Sequence, residues 1–151
     1  MDEGIVDYMV DTNTEKAYLA GVVDGEGSIC LALKKAGNLS FRLQIANTDL
    51  RLMDWLTTYV GGHSYRVERK YASRHKPCYQ WMVSGDEASA ILVAILPYLH
   101  LKAEQAGLAI RAWDVRQPTP ISDRRQPTNP GILEMRGEHV EQMHALNRKG
   151  P

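Results

Sequence analysis

Small and apolar residues recur at helical spacing in the first part of the chain, over residues 14–24. Residues 12–14 offer side chains that cap helix starts, and Glu15 lies in the first turn. Gly25 and Gly27 then interrupt the pattern. The sequence therefore predicts a first helix that ends near residue 24.

From residue 28 onward the pattern changes to the two-residue alternation that is typical of strands. Residues 28–34 and 39–45 form two such runs, and residues 35–38 between them suit a turn. The second run separates apolar from polar side chains, with Phe41, Leu43 and Ile45 on one face and Ser40, Arg42 and Gln44 on the other. This indicates a hairpin with one buried and one exposed face.

A second helix and a second hairpin are predicted to follow. Asp49 is placed to cap a helix that runs to about residue 59. Residues 64–84 then repeat the strand pattern, although a slip of one residue would exchange the faces of this hairpin. The expected inner residues are Tyr65, Val67, Tyr79, Trp81 and Val83, and the expected outer residues are Arg66, Glu68, Lys70, Cys78, Gln80 and Met82.

The last third of the chain is predicted to be helical. One helix covers residues 86–96, and another begins near residues 99–101 and continues through Trp113. Residues 117–130 contain four prolines and suit an extended connection, before an amphipathic helix at about 131–147. The order αββαββααα predicts an α+β protein in which helices cover one face of a sheet and leave the other face open.

The length and composition favour one globular domain. A chain of 151 residues buries a single core, and it contains no apolar run near the roughly 20 residues that span a membrane. Residues 1–16 are acidic and lack the basic start and apolar core of a secretory signal, so we expect an intracellular protein. Cys30 and Cys78 provide no disulfide framework and are interpreted as small, half-buried residues.

The net charge of zero conceals an uneven distribution of charge. Residues 1–33 carry one base and seven acids, residues 34–84 carry nine bases and three acids, and residues 85–151 carry eight of each. The middle segment favours a surface that follows phosphates, and a solvated sheet face is the alternative. Its bases are Lys34, Lys35, Arg42, Arg51, Arg66, Arg69, Lys70, Arg74 and Lys76.

The segment with most chemical information is residues 18–28, where a helix of small residues leads into two acids separated by glycine. Ala17, Ala20, Gly21 and Asp24 recur at i, i+3, i+4 and i+7, which permits close approach by another helix. Tight packing within its own domain is the alternative. Glu26 follows the helix between two glycines, a position suited to a metal ligand.

Residues 19–27 read LAGVVDGEG and resemble the LAGLIDADG motif of homing endonucleases. The αββαββα order, residues 44–49 at the start of the second helix and residues 97–102 before a later helix are also similar to the single-motif, homodimeric branch. The resemblance covers about residues 14–115. It implies an antiparallel, saddle-shaped sheet covered by helices on one face, within one endonuclease domain over residues 1–151.

The resemblance also implies a set of catalytic residues. Glu26 corresponds to the acid that binds the metal, with the Gly25 carbonyl beside it; many relatives have Asp here, and the longer arm of Glu is compatible with Mg²⁺. Lys102 corresponds to a base near the scissile phosphate. Asn47 lies where the branch often carries a water-positioning Gln, and Arg51 is a further candidate for the active site.

The implied reaction is metal-assisted hydrolysis of both DNA strands. One motif per chain implies a homodimer on a long pseudo-palindromic site, with an interface at Ala17, Ala20, Gly21 and Asp24. Asp24 is expected to cap and pack rather than to catalyse. The outward strand residues are expected to read the major groove. In the first hairpin they are Cys30, Ala32, Lys34, Asn38, Ser40, Arg42 and Gln44, and in the second Arg66, Glu68, Lys70, Lys76, Cys78, Gln80 and Met82.

Other functions of the same fold stay open at this point. One is a maturase, a splicing cofactor that binds intron RNA, and another is a DNA-binding regulator without cleavage. Intact Glu26 and Lys102 weigh against the maturase. A zinc module would have to use His63, His75, Cys30 and Cys78, which lack the paired ligand spacing of zinc sites.

Overall fold

The computed structural model describes residues 12–68, 77–116 and 130–149. The order of elements is αββαββααα, as predicted, with short π-helical and 3₁₀ turns at Leu56–Val60 and Leu96–Tyr98. The predicted proline-rich connection falls, up to residue 129, outside the described residues. The elements are α1 (Asn13–Glu26), β1 (Gly27–Leu33), β2 (Leu39–Asn47), α2 (Leu50–Trp55), β3 (His63–Val67), β4 (Cys78–Ser84), α3 (Gly85–Ile95), α4 (Ala103–Asp114) and α5 (Pro130–Lys149).

Side-chain caps determine where α1 and α2 begin. The Thr12 hydroxyl accepts a hydrogen bond from the Glu15 N–H at 3.0 Å, and the Asp49 carboxylate accepts one from the Arg51 N–H at 2.9 Å. Each cap satisfies a donor that has no partner within the helix. Both caps are residues that the sequence predicts.

The four strands form one antiparallel sheet in the order β1-β2-β4-β3. All five helices pack on or beside this sheet, and α5 lies against α4 and the edge strand β1. The core between helices and sheet contains Leu19, Val23, Ile29, Phe41, Leu43, Ile45, Trp81, Ile91, Leu92 and Ile95, each at most 2% exposed. This confirms the predicted α+β class and the predicted inner face of the first hairpin. No helix among the described residues is long and apolar enough to cross a bilayer.

The strand residues that alternate with this core form what we call the open face. In the first hairpin Cys30 lies opposite Arg42, and both side chains point away from the core, as predicted. In β4 the open-face residues are Cys78, Gln80 and Met82, also as predicted, although Cys78 is only 9% exposed.

The predicted faces of β3 are wrong by one residue. Tyr65 lies opposite Gln80 and Arg66 lies opposite Tyr79, so Tyr65 and Val67 belong to the open face while Arg66 points to the helix side. Residues 63–66 are all exposed, so hydrophobic burial does not fix the register of this edge strand. Glu68 lies just beyond β3, so the strand pairing does not test its outward prediction. Lys70 and Lys76 lie outside the described residues.

Candidate active site

The motif helix α1 passes into β1 without an intervening loop, and Glu26 is its last residue. Gly27 allows this abrupt junction, because a Cβ atom at that position would lie 2.7 Å from the Val23 carbonyl oxygen. The Gly27 N–H donates to the same carbonyl and ends the helix. The Glu26 side chain is exposed at the junction, available to a ligand from outside the chain.

Asp24 fastens the end of α1 to the start of α4. Its side chain is 8% exposed, and its carboxylate accepts hydrogen bonds from the backbone N–H groups of His100 (2.9 Å), Leu101 (3.1 Å) and Lys102 (3.0 Å). A carboxylate with three backbone donors is a structural group. The contacts are those of the capping and packing role that the resemblance implies.

The Lys102 side chain lies against the end of the motif helix. Its Nζ donates to the carbonyl oxygens of Val23 at 3.1 Å and Asp24 at 2.7 Å. These carbonyls carry the partial negative charge of a helix C-terminus, which favours a nearby cation. An ammonium has three donors, so one N–H remains beyond these two contacts. The positive charge of Lys102 is thus held against the carbonyls of Val23 and Asp24, which precede Glu26 in sequence by three and two positions.

Asn47 is the last residue of β2, two residues beyond Ile45, which lies opposite Gly27 at the start of β1. Its side-chain oxygen accepts a hydrogen bond from the Asp49 N–H at 2.8 Å. The oxygen therefore shapes the turn into α2, and the amide nitrogen is the part of this side chain suited to hold water.

Arg51 is paired with Asp49. Its guanidinium donates to both carboxylate oxygens of Asp49, at 3.1 and 2.7 Å, and this contact raises the pKa of Arg51. Arg51 also lines a groove together with Glu15 and Tyr18 in the first half of α1. Lys102 therefore contacts the last turn of α1, whereas Asn47 and Arg51 both contact Asp49 at the turn into α2.

One chain offers few ligands for a metal ion. Among the described residues, no group of three or more His, Cys, Asp and Glu side chains is placed to hold one. The exposed Glu26 carboxylate and the Gly25 carbonyl, which lies in the last turn of α1, are oxygen ligands of the type that Mg²⁺ accepts. These two fit a divalent ion whose other ligands come from water, phosphate or a second chain.

The exposed side of α1 is a stripe of small residues. Ala17, Gly21 and Gly25 recur at i, i+4 and i+8, and a Cβ atom added at either glycine would meet nothing within 4 Å. Ala20, by contrast, is 0% exposed, and Asp24 is buried by its contacts with residues 100–102. The prediction that these two residues share the exposed stripe is wrong, because each is packed within its own chain.

The open face presents rows of side chains that cross the strands. One row is Cys30, Arg42 and Ser84; the next is Ser28, Gln44, Met82 and His63; a third is Ala46, Gln80 and Tyr65. Gln44 Nε2 lies 3.6 Å from the Met82 sulfur. Burial raises the pKa of the Cys30 thiol, and this effect outweighs the positive charge of Arg42, which lowers the pKa. The first row therefore carries a neutral thiol beside a cation. The open face thus mixes hydrogen-bond donors, acceptors and apolar groups.

Sequence reasoning did not select five members of these rows, namely Ser28, Ala46, His63, Tyr65 and Ser84, of which Ser84 continues the alternation of β4. Ser28 and Ala46 follow from extending the alternation of the first hairpin by one position at its ends. His63 and Tyr65 depend on the register of an exposed edge strand, for which the sequence carries no burial signal.

No protein-family model matches the chain, and no curated protein matches its sequence significantly. Solved structures do resemble it. The homing endonuclease I-CvuI in complex with its target, in the presence of 2 mM Ca, is 19% identical with a TM-score of 0.66, and the match covers 88% of this chain and 82% of that one. The archaeal intron-encoded homing endonuclease I-Vdi141I, complexed with DNA, is 12% identical with a TM-score of 0.68 over 89% and 84%.

A third similar structure is the LAGLIDADG meganuclease I-AabMI bound to uncleaved DNA, with 18% identity and a TM-score of 0.55. The match covers 87% of this chain but 42% of that one, which leaves room there for a second unit of the same size. At these identities the likeness establishes the fold. The chain adopts the fold of the LAGLIDADG homing endonucleases, as residues 19–27 predict.

Proposed function

We propose that the protein is a site-specific DNA endonuclease of the homing type, which acts as a homodimer and depends on a divalent metal. The observation that carries this proposal is the place of Glu26. It is an exposed carboxylate at the end of the motif helix, beside a lysine and at the margin of an open sheet face. The DNA complexes of I-CvuI and I-Vdi141I, which share the fold, support a DNA substrate.

The homodimer is inferred from the stripe on α1. Cutting both strands requires two active sites, whereas the chain has one motif. A two-fold axis beside Gly21 and Gly25 would let two α1 helices approach closely and would place both Glu26 residues near one axis. The length of I-AabMI, which leaves room for a second unit, is consistent with two units per DNA site.

For the metal we propose Glu26 and the Gly25 carbonyl as protein ligands. A divalent ion bound there would activate water and stabilise the leaving oxygen. Glu26 would bind and orient the metal ion. Lys102 would donate its third N–H to a phosphate oxygen and counter the negative charge that develops on that oxygen. Asn47 is proposed to position water through its amide nitrogen. The presence of Ca in the I-CvuI complex supports a divalent ion.

The open face is proposed to lie in the major groove, which admits a two-stranded β-ribbon. Arg42 and Gln44 are the polar readers at its centre, and the register adds His63 and Tyr65 in place of Arg66. Arginine suits guanine and glutamine suits adenine in bidentate contacts.

The experiment that tests the proposal is selection of DNA from a randomised duplex library by the purified protein with Mg²⁺, followed by sequencing of the cut ends. We expect one long, pseudo-symmetric site cut on both strands at its centre. A protein that enriches a site but leaves it uncut would be a binding protein only, and one that enriches no DNA would contradict the proposal.

A further inference from the structure

Arg136 of α5 is buried although it carries a permanent charge, with 2% of the residue exposed. Its Nη1 donates to the Gly37 carbonyl at 2.6 Å, and its Nε and Nη2 donate to the Arg116 carbonyl at 3.1 and 2.6 Å. A buried guanidinium destabilises a fold unless its N–H groups find acceptors. These contacts therefore join three parts of the chain: α5, the end of α4 and the β1–β2 turn.

Gly37 is the residue that gives the turn its shape. Its φ of 83° lies in the left-handed region that favours glycine, and its N–H donates to the Lys34 carbonyl at 2.8 Å. The Lys34 N–H in turn donates to the Asn38 carbonyl at 2.9 Å. The Gly37 carbonyl points inward to Arg136, while Lys34 and Lys35 are exposed.

The turn lies at the far end of β1 from Glu26. The six steps from Gly27 to Leu33 span about 20 Å at the rise of a strand, which corresponds to about six base pairs of DNA. If the open face follows DNA outward from Glu26, the turn meets base pairs near the end of the target.

We propose that Arg136 is a positioning residue for DNA recognition: by holding the Gly37 carbonyl it fixes the β1–β2 turn and thereby sets base preference at the outer ends of the target. This inference rests on the proposed function. Base discrimination needs donors and acceptors within a narrow range of distance and angle, whereas attraction between lysines and phosphates tolerates movement. Releasing the turn therefore lowers outer discrimination more than it lowers overall affinity.

The test uses R136M, which keeps the length of the side chain without its donors, and R136K, which keeps the charge. Asn147 provides a matched control, since its Nδ2 also ties α5 to the first hairpin, by a 3.1 Å bond to the Ile29 carbonyl, but at the end of β1 nearer Glu26. Duplexes randomised either at outer or at central positions are selected by wild type, R136M, R136K and N147A.

We expect R136M to lose about 5-fold or more of its discrimination at outer positions, the equivalent of one base contact. R136K should lose less, N147A should match wild type there, and central preferences should be unchanged in all variants. Hydrogen exchange at the Lys34 and Gly37 amides should be faster in R136M than in N147A.

Two failures are distinguishable. Wild type that selects no DNA contradicts the proposed function, and this inference with it. Wild type with a defined site and R136M with unchanged outer preferences, or with preferences weakened equally at every position, overturns this inference alone. If R136M does not fold, the base preferences of R136K at outer positions are compared with those of wild type instead. Equal preferences at those positions would then overturn this inference.

Discussion

Asp24 and Lys102 hold each other reciprocally. The Asp24 carboxylate accepts the Lys102 backbone N–H at 3.0 Å, and the Lys102 ammonium donates to the Asp24 backbone carbonyl at 2.7 Å. Two residues that are 78 positions apart in sequence thus connect the end of the motif helix to the start of α4. The arrangement keeps a lysine and the exposed Glu26 on one junction, where the proposed chemistry needs both.

Replacing Asp24 by alanine should destabilise the fold. Three backbone N–H groups lose their acceptor, and we expect a cost of about 2 kcal/mol in the free energy of unfolding, or about 4–8 °C in Tm. Thermal or urea unfolding measures the difference. D54A, at an exposed position in α2, is the control and should stay within about 0.5 kcal/mol of wild type. Equal stabilities of the two variants would show that the contacts of Asp24 contribute little.

Replacing Lys102 by methionine should separate catalysis from folding. The backbone N–H of residue 102 still has Asp24 as its acceptor, so K102M should fold and bind DNA. Cleavage should fall by about 100-fold, the usual effect of removing one donor that stabilises developing charge. Single-turnover cleavage with Mg²⁺ is the measurement. Cleavage by K102M at the wild-type rate would show that Lys102 caps α1 but does not contribute to catalysis.

Gly21→Leu should abolish the dimer without harming the fold. Leucine favours helix more than glycine does, and a Cβ atom added at Gly21 meets no atom of the described residues within 4 Å. We expect sedimentation to show a folded monomer that cuts no DNA. Glu104→Leu adds the same side chain at an exposed position of α4 and should leave the dimer intact. An active monomer, or a G21L dimer, would contradict the proposed interface.

Tyr65 and Arg66 are neighbours on opposite sides of the sheet, which makes them a matched pair. Y65A should alter base preference at one position of the target by about 5-fold or more, because Tyr65 lies on the open face beside Gln80. R66A should leave preferences unchanged and weaken all sites alike, if at all. Binding of a panel of single-base variants tests both, and altered base preference in R66A alone would reverse the face assignment.

The contrast between the two hairpins shows what the sequence can predict. In the first hairpin Phe41, Leu43 and Ile45 are buried, so hydrophobic alternation specifies register and faces. In β3 the residues from His63 to Arg66 are exposed, and the register comes from pairing with β4, which alternation does not report. Alternation likewise does not report other contacts between residues that are distant in sequence.

The motif helix was predicted in place, but its exposed stripe was not. Helical spacing groups Ala20 with Gly21, yet Ala20 is covered by its own chain because the helix turns that side to the core. The capping of residues 100–102 by Asp24 and the hydrogen bond from Arg136 to the Gly37 carbonyl depend on contacts across 76 to 99 positions. Local sequence patterns predict the elements and the buried face of each, whereas contacts between residues so distant in sequence are seen only in the folded structure.

Glu26→Gln tests whether this carboxylate binds the catalytic metal ion. The substitution keeps the size of an exposed side chain and removes the charge that Mg²⁺ requires, so the variant should dimerise and bind its DNA but cut neither strand. Removing two carboxylates that face phosphates should also tighten binding without metal, and this gain should shrink when Ca²⁺ is given to the wild type.

The measurement is cleavage and binding of one selected DNA site by wild type and E26Q, with Mg²⁺, with Ca²⁺ and with chelator. We expect double-strand cleavage by wild type only with Mg²⁺ and none by E26Q under any condition, with binding retained throughout. Wild-type cleavage rates from E26Q in Mg²⁺ would contradict this expectation, because the proposed mechanism would then lack its metal-binding carboxylate.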